Sequence, residues 1–536
     1  MAAEAFSALQ NFHCEEYPAS LKPTADRAFC EGINSFFIFS SATRSDEGYP
    51  GTEFCSGTYF NRKVTWWSQV RAFNDYIARC SHMLRQGLFS ADVLFYNGDQ
   101  CPNFVQPKHV EPALGPGYDY DVCNTEIILT RLDVKNGKIV LPDGPANRGV
   151  NMSYRMMVLP DSNTMTVEVL RKLKKLVSDG MTLVGPKPVA APGLTDYPRC
   201  DDEVKALAAE LWADCDGKAV KEHAFGKGRV VWGITPRELL AKAGVKPDFS
   251  YAGGKPDTYM DWIHRNDKGT DIYLVANRQN RIEKATFTFR AVGTCPELWD
   301  PVTGQIRELK EYKTSEDGMT ETPLELQPYE SAFVVFPKNG KKAQRHKGTE
   351  LKSNFPELKT VQEITGAWQV SFDPKWGGPG QVNFEKLDDW IKRPEEGIKL
   401  YSGTATYRKV FDLAGEVRSQ KPEVSKNSSP LFLDLGRVAV IARVKLNGKD
   451  LGIVWTAPWR VDISGAVKAG ANELEIDVIN LWPNRRIGDA SLPEEKRYTH
   501  SNIAFSPIYP QNPPERSGLL SSGLLGPVVI QSVAVE

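Results

Sequence analysis

Residues 66–99 read WWSQVRAFNDYIARCSHMLRQGLFSADVLFYNGD, and this stretch decides the fold class. From Trp66 to Gln86 apolar residues such as Tyr76, Ile77, Met83 and Leu84 recur at the spacing of successive helical turns, which predicts a helix. Gly87 can cap it. Ala91–Tyr96 (ADVLFY) is then an apolar run of strand length, closed by Asn97, Gly98 and Asp99. Upstream, PTADRAFCE at 23–31 reads as helix and INSFFIF at 33–39 as a buried strand. This strand–helix–strand alternation predicts parallel α/β architecture over residues 1–150. Polar residues just past the C-terminal ends of such strands lie where these folds place chemistry.

The alternation continues over 151–235. Tyr154–Leu159 is a strand, Val167–Asp179 an amphipathic helix ending at Gly180, and 181–184 and 228–232 are further strands. The unit resembles the amidotransferase-like domain found beside several glycosidase barrels. Its strands offer no nucleophilic cysteine on a sharp glycine-flanked turn, so it reads as structural.

Beyond about residue 236 the apolar period falls from 3.6 to 2. Residues 271–276, 284–290 and 331–336 read as strands, giving a β-sandwich over 236–345. A polar connector, KNGKKAQRHKGTELKS at 338–353, leads to a second all-β module over 355–536. Strands are expected at 404–411, 431–435, 439–446 and 473–479, and Asn447-Gly448 supplies a tight hairpin turn.

Composition narrows the function classes. The chain has 536 residues, too many for one core, and its 66 basic residues balance 67 acidic ones, which argues against a polyanion-binding surface such as one for nucleic acid. Nine cysteines fall at irregular spacing without a CxxC pair, and none follows Cys295, so no disulfide framework is expected to hold the tail and no zinc site is predicted. No apolar run approaches the roughly 18 residues of a membrane span, and the N-terminus as written carries no export signal. HExxH, Ser/His/Asp, GxGxxG and GxxxxGKS patterns are all absent, so zinc hydrolase, nucleophilic hydrolase and nucleotide-cofactor readings lack support.

Several segments carry a resemblance. Gly366-Ala367-Trp368, YSGTATYRKVF at 401–411, LDLG at 433–436, VKLNGKDLG at 444–452 and NLWPNR at 480–485 resemble the jelly-roll sugar-binding domains attached to family 2 and related glycosidases. Further upstream, EAFS at 4–7, KPTADRAFCEGIN at 22–34, YFNRKVTWW at 59–67, DVLFYNGD at 92–99, GYDYDVCNTE at 117–126, KIVLPDG at 138–144, WIHR at 262–265 and LWDPVTG at 298–304 look, in that order, like successive blocks of glycoside hydrolase family 106, the α-L-rhamnosidases. That resemblance implies a multidomain protein, α/β plus all-β. Its parts are the later half of a (β/α)8 catalytic barrel at 1–150, the amidotransferase-like domain, the β-sandwich and the jelly roll. The family's barrel has a first half ahead of the Glu4 block, so the resemblance implies either an N-terminal half-barrel supplied by another chain as a partner, or a fragment, or a truncated gene product. The expected substrate is a rhamnose-containing glycan or glycoside. The alternative is a non-catalytic carbohydrate-binding protein using the jelly roll, or an inactive fragment.

Glycoside hydrolysis uses two carboxyl groups, about 6.5–9.5 Å apart in the inverting mechanism the resemblance implies. Glu4 is assigned as general acid and Glu126 as general base, against the plainer reading that both are solvated surface charges. Asp119 and Asp121 either orient the base, bind sugar hydroxyls or ligate a cation, or else cap turn N–H groups. Asn97 and Asp99 are candidate hydroxyl-binding residues or simply a turn. Trp66 and Trp67 line a sugar subsite or pack in the core. His264-Arg265 reads as ordering strand contacts. Calcium is implied by the family alone, with no ligand set named.

Overall fold

The computed structural model describes residues 1–7, 14–39, 48–51, 60–99, 112–142, 152–291, 295–339, 353–413, 430–501 and 518–533. Cys55, Tyr59, Cys101, Asp143, Gly144 and residues 340–352 of the connector lie outside these.

The central element is a six-stranded sheet in the order Glu222–Phe225, Gly228–Val231, Thr182–Val184, Met156–Val158, Val93–Tyr96, Tyr120–Cys123. All neighbours run parallel except the first pair, a hairpin. Alternate residues of its strands point to opposite faces. Leu94, Met157, Leu183 and Val230 pack with helices Val167–Asp179 and Arg199–Trp212 on one side. Val93, Phe95, Met156, Val158 and Val231 pack with Leu239 and Leu240 of helix Pro236–Lys242 on the other. Burial on both faces explains why VLFY and MMV are continuous apolar runs and do not alternate.

Two expected boundaries move. Strand Val93–Tyr96 pairs with Met156–Val158 on one side and with Tyr120–Cys123 on the other, so the division at 150 cuts through one sheet. The stretch beginning at 236 is a helix, started by a capping box in which Thr235 Oγ1 accepts from Glu238 N and the Glu238 carboxylate accepts from Thr235 N.

Among the described residues, those of 1–89 do not join one α/β layer with those of 90–150. Strands Ala2–Ala5 and Ser35–Ile38 make a parallel pair of their own around helix Pro18–Cys30. Helix Arg71–Met83 presents Phe73, Tyr76, Cys80 and Met83 inward at helical spacing. These helices share one cluster with Ile263, Leu274 and Phe333 of the first sandwich and with Ile441, Trp455 and Trp482 of the second. Emptying the Phe73 site by substitution to alanine would cost about 3–5 kcal/mol. A buried polar knot reinforces the junction: Lys22 Nζ donates to Asp26 at 2.8 Å, Tyr329 O at 2.7 Å and Ser331 Oγ at 2.9 Å, while Tyr76 OH donates to Asp26.

The β-modules are two sandwiches, each a four-stranded sheet facing a six-stranded one. The first, strands Phe249–Ala252 to Ser331–Phe336, buries Phe249, Tyr273, Phe287 and Phe289 between its sheets. Its larger sheet also takes Leu88–Phe89 as an edge strand. The second, residues 358–533, buries Trp368, Tyr407, Val444 and Ile476. Its hairpin turns at Asn447 and Gly448, with φ of 53° and 77°, a conformation that asparagine and glycine tolerate.

Candidate active site

The C-terminal ends of Val93–Tyr96 and Tyr120–Cys123 bring several of the expected residues together. Tyr96 OH donates to Asp99 Oδ2 at 2.8 Å and lies 2.9 Å from Thr125 Oγ1, whose hydroxyl donates to Asp99 Oδ1. Asn97 N–H donates to Cys123 O, tying the two strand ends. Asn124 caps the helix Thr125–Thr130 by accepting from Ile127 N at 3.0 Å. Glu126 stands exposed in the first turn, at the positive end of that helix's dipole. This is a rim of hydroxyl and carboxylate groups suited to sugar hydroxyls.

Asp121 is fastened beneath it: Oδ1 accepts from Val122 N and Oδ2 from Tyr154 OH, both at 2.8 Å. Burial, then the Asp121 charge, raises the Tyr154 hydroxyl, and burial and Asp121 push the Cys123 thiol up to about 12. Tyr96 is raised by burial, with Asp99 adding to it. Both tyrosines therefore act as donors, and Cys123 stays a thiol. Asp119 lies at the opposite, N-terminal end of its strand, only 3% exposed, with Oδ1 accepting from Tyr120 N and its carbonyl from Asp92 N. It belongs to the packing of the sheet and not to the rim.

Glu4 sits elsewhere. It pairs in register with Phe37 across the two-stranded sheet, and Ser7 Oγ donates to its Oε1 at 3.3 Å. Ala5, Phe36 and Ile38 pack onto the helical cluster, while Glu4 and Phe37 face away from it, Phe37 being 67% exposed. The strand expected to be buried at 33–39 is thus open on one side. Glu4 and Glu126 do not share one strand-end rim as expected. Tyr120–Cys123 pairs with Val93–Tyr96 in the six-stranded sheet, so Glu4 lies in the two-stranded sheet while Glu126 lies on the helix that follows the six-stranded one.

Trp66 is 1% exposed, packs edge-on to Phe60 and donates from its indole to Glu16 O at 3.1 Å. It is a core residue. Trp67 is half-buried against the same Phe60. His264, read as a strand-ordering residue, bridges two carboxylates, Nδ1 to Asp248 at 2.8 Å and Nε2 to Asp271 at 3.0 Å. Sequence reading missed Tyr96, Thr125, Tyr154 and Phe37; a tyrosine closing a strand and a Thr after an Asn N-cap were the available signals.

No group of three or more His, Cys, Asp or Glu side chains is gathered for a metal among the described residues. The oxygens of Asp99 and Asp121 are already engaged by tyrosine, threonine and backbone donors. These residues do not form a calcium cage, which wants several converging oxygens.

Comparison with known proteins bears on this arrangement. The α-L-rhamnosidase family, glycoside hydrolase family 106, matches residues 1–314. A solved rhamnosidase from Novosphingobium sp. PP1Y superposes with a TM-score of 0.85 at 33% identity, over 99% of this chain and 47% of that one. A curated protein of Formosa agariphila named "Putative beta-glucuronidase" is 28% identical over all of this chain and 63% of its own length. The chain thus spans about half of the solved relative and under two thirds of the curated one. With more than half its residues matched, the chain belongs to the α-L-rhamnosidase family of glycoside hydrolases.

Proposed function

We propose that this chain takes part in the inverting hydrolysis of terminal α-L-rhamnosides, with Glu4 as general acid and Glu126 as general base. One observation supports the placing of Glu4: its carboxylate shares the open face of a parallel βαβ unit whose other face is covered by helices. In a (β/α)8 barrel the face turned away from the helices is the interior, and the chemistry gathers at its C-terminal rim. Parallel strands are ordinarily buried on both sides, so an exposed Phe37 beside an open edge fits a sheet that further barrel strands complete. Phe37 then offers an apolar surface to a sugar ring, and that surface suits the methyl group of a 6-deoxyhexose.

In the reaction, protonated Glu4 gives its proton to the glycosidic oxygen as the C1–O bond breaks. Ionised Glu126 removes a proton from the water that attacks C1 from the opposite side. Asp99, Tyr96 and Thr125 hold the start of the helix that carries Glu126. Because Glu4 stands in the two-stranded sheet and Glu126 on the helix after the six-stranded one, this pairing requires the completed barrel to face the rim of the six-stranded sheet, with the carboxyl groups about 6.5–9.5 Å apart. No step is routed through calcium.

The test is proton NMR of the sugar released from an aryl α-L-rhamnoside by the assembled protein, with an aryl β-glucuronide in parallel. The β-anomer of rhamnose appearing first supports the proposal. The α-anomer first would reject inversion, and cleavage of the glucuronide alone would reject the substrate class.

A further inference from the structure

A second polar cleft lies far in sequence from the catalytic candidates, where the segment leading into helix Arg71–Met83 meets the outer face of the second sandwich. Along strands Thr404–Asp412, Ile441–Leu446 and Ala471–Ile479, alternate residues face away from the sandwich core. At one end of this outer face, Ile441 and Ile479 are covered by the helical cluster. At the other, Arg408, Glu475 and Lys445 close the surface with ion pairs. Between them remains a cavity of about 520 Å³, within the roughly 300–1,000 Å³ typical of small-molecule sites.

Its lining is built for a ligand with hydroxyl groups. Gln69 is only 5% exposed, and its side-chain Oε1 has no hydrogen-bond partner among the described residues. Leaving such an acceptor unpaired costs about 1–3 kcal/mol, which a ligand hydroxyl would recover. Asp477 Oδ1 accepts from Thr406 at 2.7 Å, and Oδ2 accepts no hydrogen bond among the described residues. Arg443 donates to Asp450 at 2.6 Å across the mouth, and Arg71 supplies a second guanidinium. Ile453 and Ile479 form an apolar floor. Two arginines against two aspartates leave no net charge, which favours a neutral ligand over an acidic one.

We infer that this cleft is a non-catalytic binding site for a neutral sugar residue, held by Gln69, Asp477 and Arg443 over the isoleucine floor. The inference stands apart from the catalytic reading, because none of these residues belongs to the rim or to the Glu4 face.

The test is titration calorimetry of the full chain with L-rhamnose, D-galactose and D-galacturonate. A neutral sugar should bind saturably, and Arg443→Ala, at an exposed position that leaves the core intact, should weaken it by about tenfold or more. Gln69→Leu should weaken it similarly while leaving Tm unchanged or raised, since it removes an unpaired buried acceptor. A Gln69 that serves only packing would instead lower Tm and leave binding intact. Glu4→Gln and Glu126→Gln should bind as the parent does, separating this site from the catalytic one. No saturable binding, binding indifferent to Arg443→Ala, or preference for galacturonate would overturn the inference.

Discussion

The two ends of the six-stranded sheet differ sharply. At the N-terminal ends of its strands, Asp92 accepts from Arg155 and from Arg290, each at 2.9 Å, and Arg290 reaches on to Asp248, which holds His264 and Tyr273. That end is buried, charged and tied to the first sandwich. At the C-terminal ends, the side chains of Asp99, Tyr96 and Thr125 bond to one another, and Glu126 stands in the open. Both ends are rich in carboxylates. One set is saturated by cations and fixes how two domains meet; the other keeps acceptors at the surface. Carboxylates near strands are therefore told apart by what already occupies their oxygens.

Removing the clamp should have the largest effect. Asp92→Ala leaves two arginines without their shared partner, and urea unfolding should show a loss of about 3 kcal/mol, the low end for a broken buried pair because both arginines are partly exposed. A loss no larger than that of an ordinary surface substitution would erase the distinction between the two ends.

A smaller effect should follow pH. Burial pulls the His264 imidazole down, but Asp248 and Asp271 outweigh it and raise the group to about 9. Its unfolded value is about 6.5. The stabilisation is therefore complete below about pH 6.5 and is lost as pH rises through about 9. Burial pushes Asp248 up, yet His264 and Arg290 hold it below the usual carboxylate range, so its contribution is lost only in acid. The Tm of the parent minus that of His264→Gln, followed from neutral to alkaline pH, should shrink across that window. A constant difference would show that His264 is not charged in the fold.

The smallest effect is expected at the open rim. Thr125→Val deletes a hydroxyl that bridges Tyr96 and Asp99 at the surface, and should change stability by about 1 kcal/mol or less. A loss comparable with that of Asp92→Ala would mean that the rim, too, is structural.

Much of this organisation was legible in the sequence, and the exceptions share a cause. Helix Val167–Asp179 and strand Ser331–Phe336 were readable to the residue, because periodicity and the flanking Gly180 are local signals. Which sheet a strand joins is not local. VLFY at 93–96 reads as a buried strand whether its partners lie before or after it, and its pairing with Met156–Val158 moved a domain boundary. Phe37 shows the converse, since an apolar run cannot reveal that one of its faces is left open. Helix Pro236–Lys242 was avoidable, because Thr235, Pro236 and Glu238 spell a capping box. At the site, the polar strand-end residues Asn97 and Asp99 could be found from their position. The burial of Asp119 and Trp66, and the cleft that Gln69 and Arg443 line together, depend on tertiary packing that no local pattern encodes.

The central claim, that Glu4 and Glu126 perform acid and base chemistry on a rhamnoside, is tested most directly by leaving-group dependence. Glu4→Gln and Glu126→Gln should be assayed in the assembled protein on aryl α-L-rhamnosides of graded leaving-group acidity. Each should lose about 10²–10⁴-fold on a poor leaving group, because a glutamine side chain can neither give nor take the proton. On the best leaving group Glu4→Gln should regain much of its rate, since little protonation is needed, whereas Glu126→Gln should stay equally impaired. Rates near those of the parent for either variant, or the same leaving-group slope for both, would contradict the assignment.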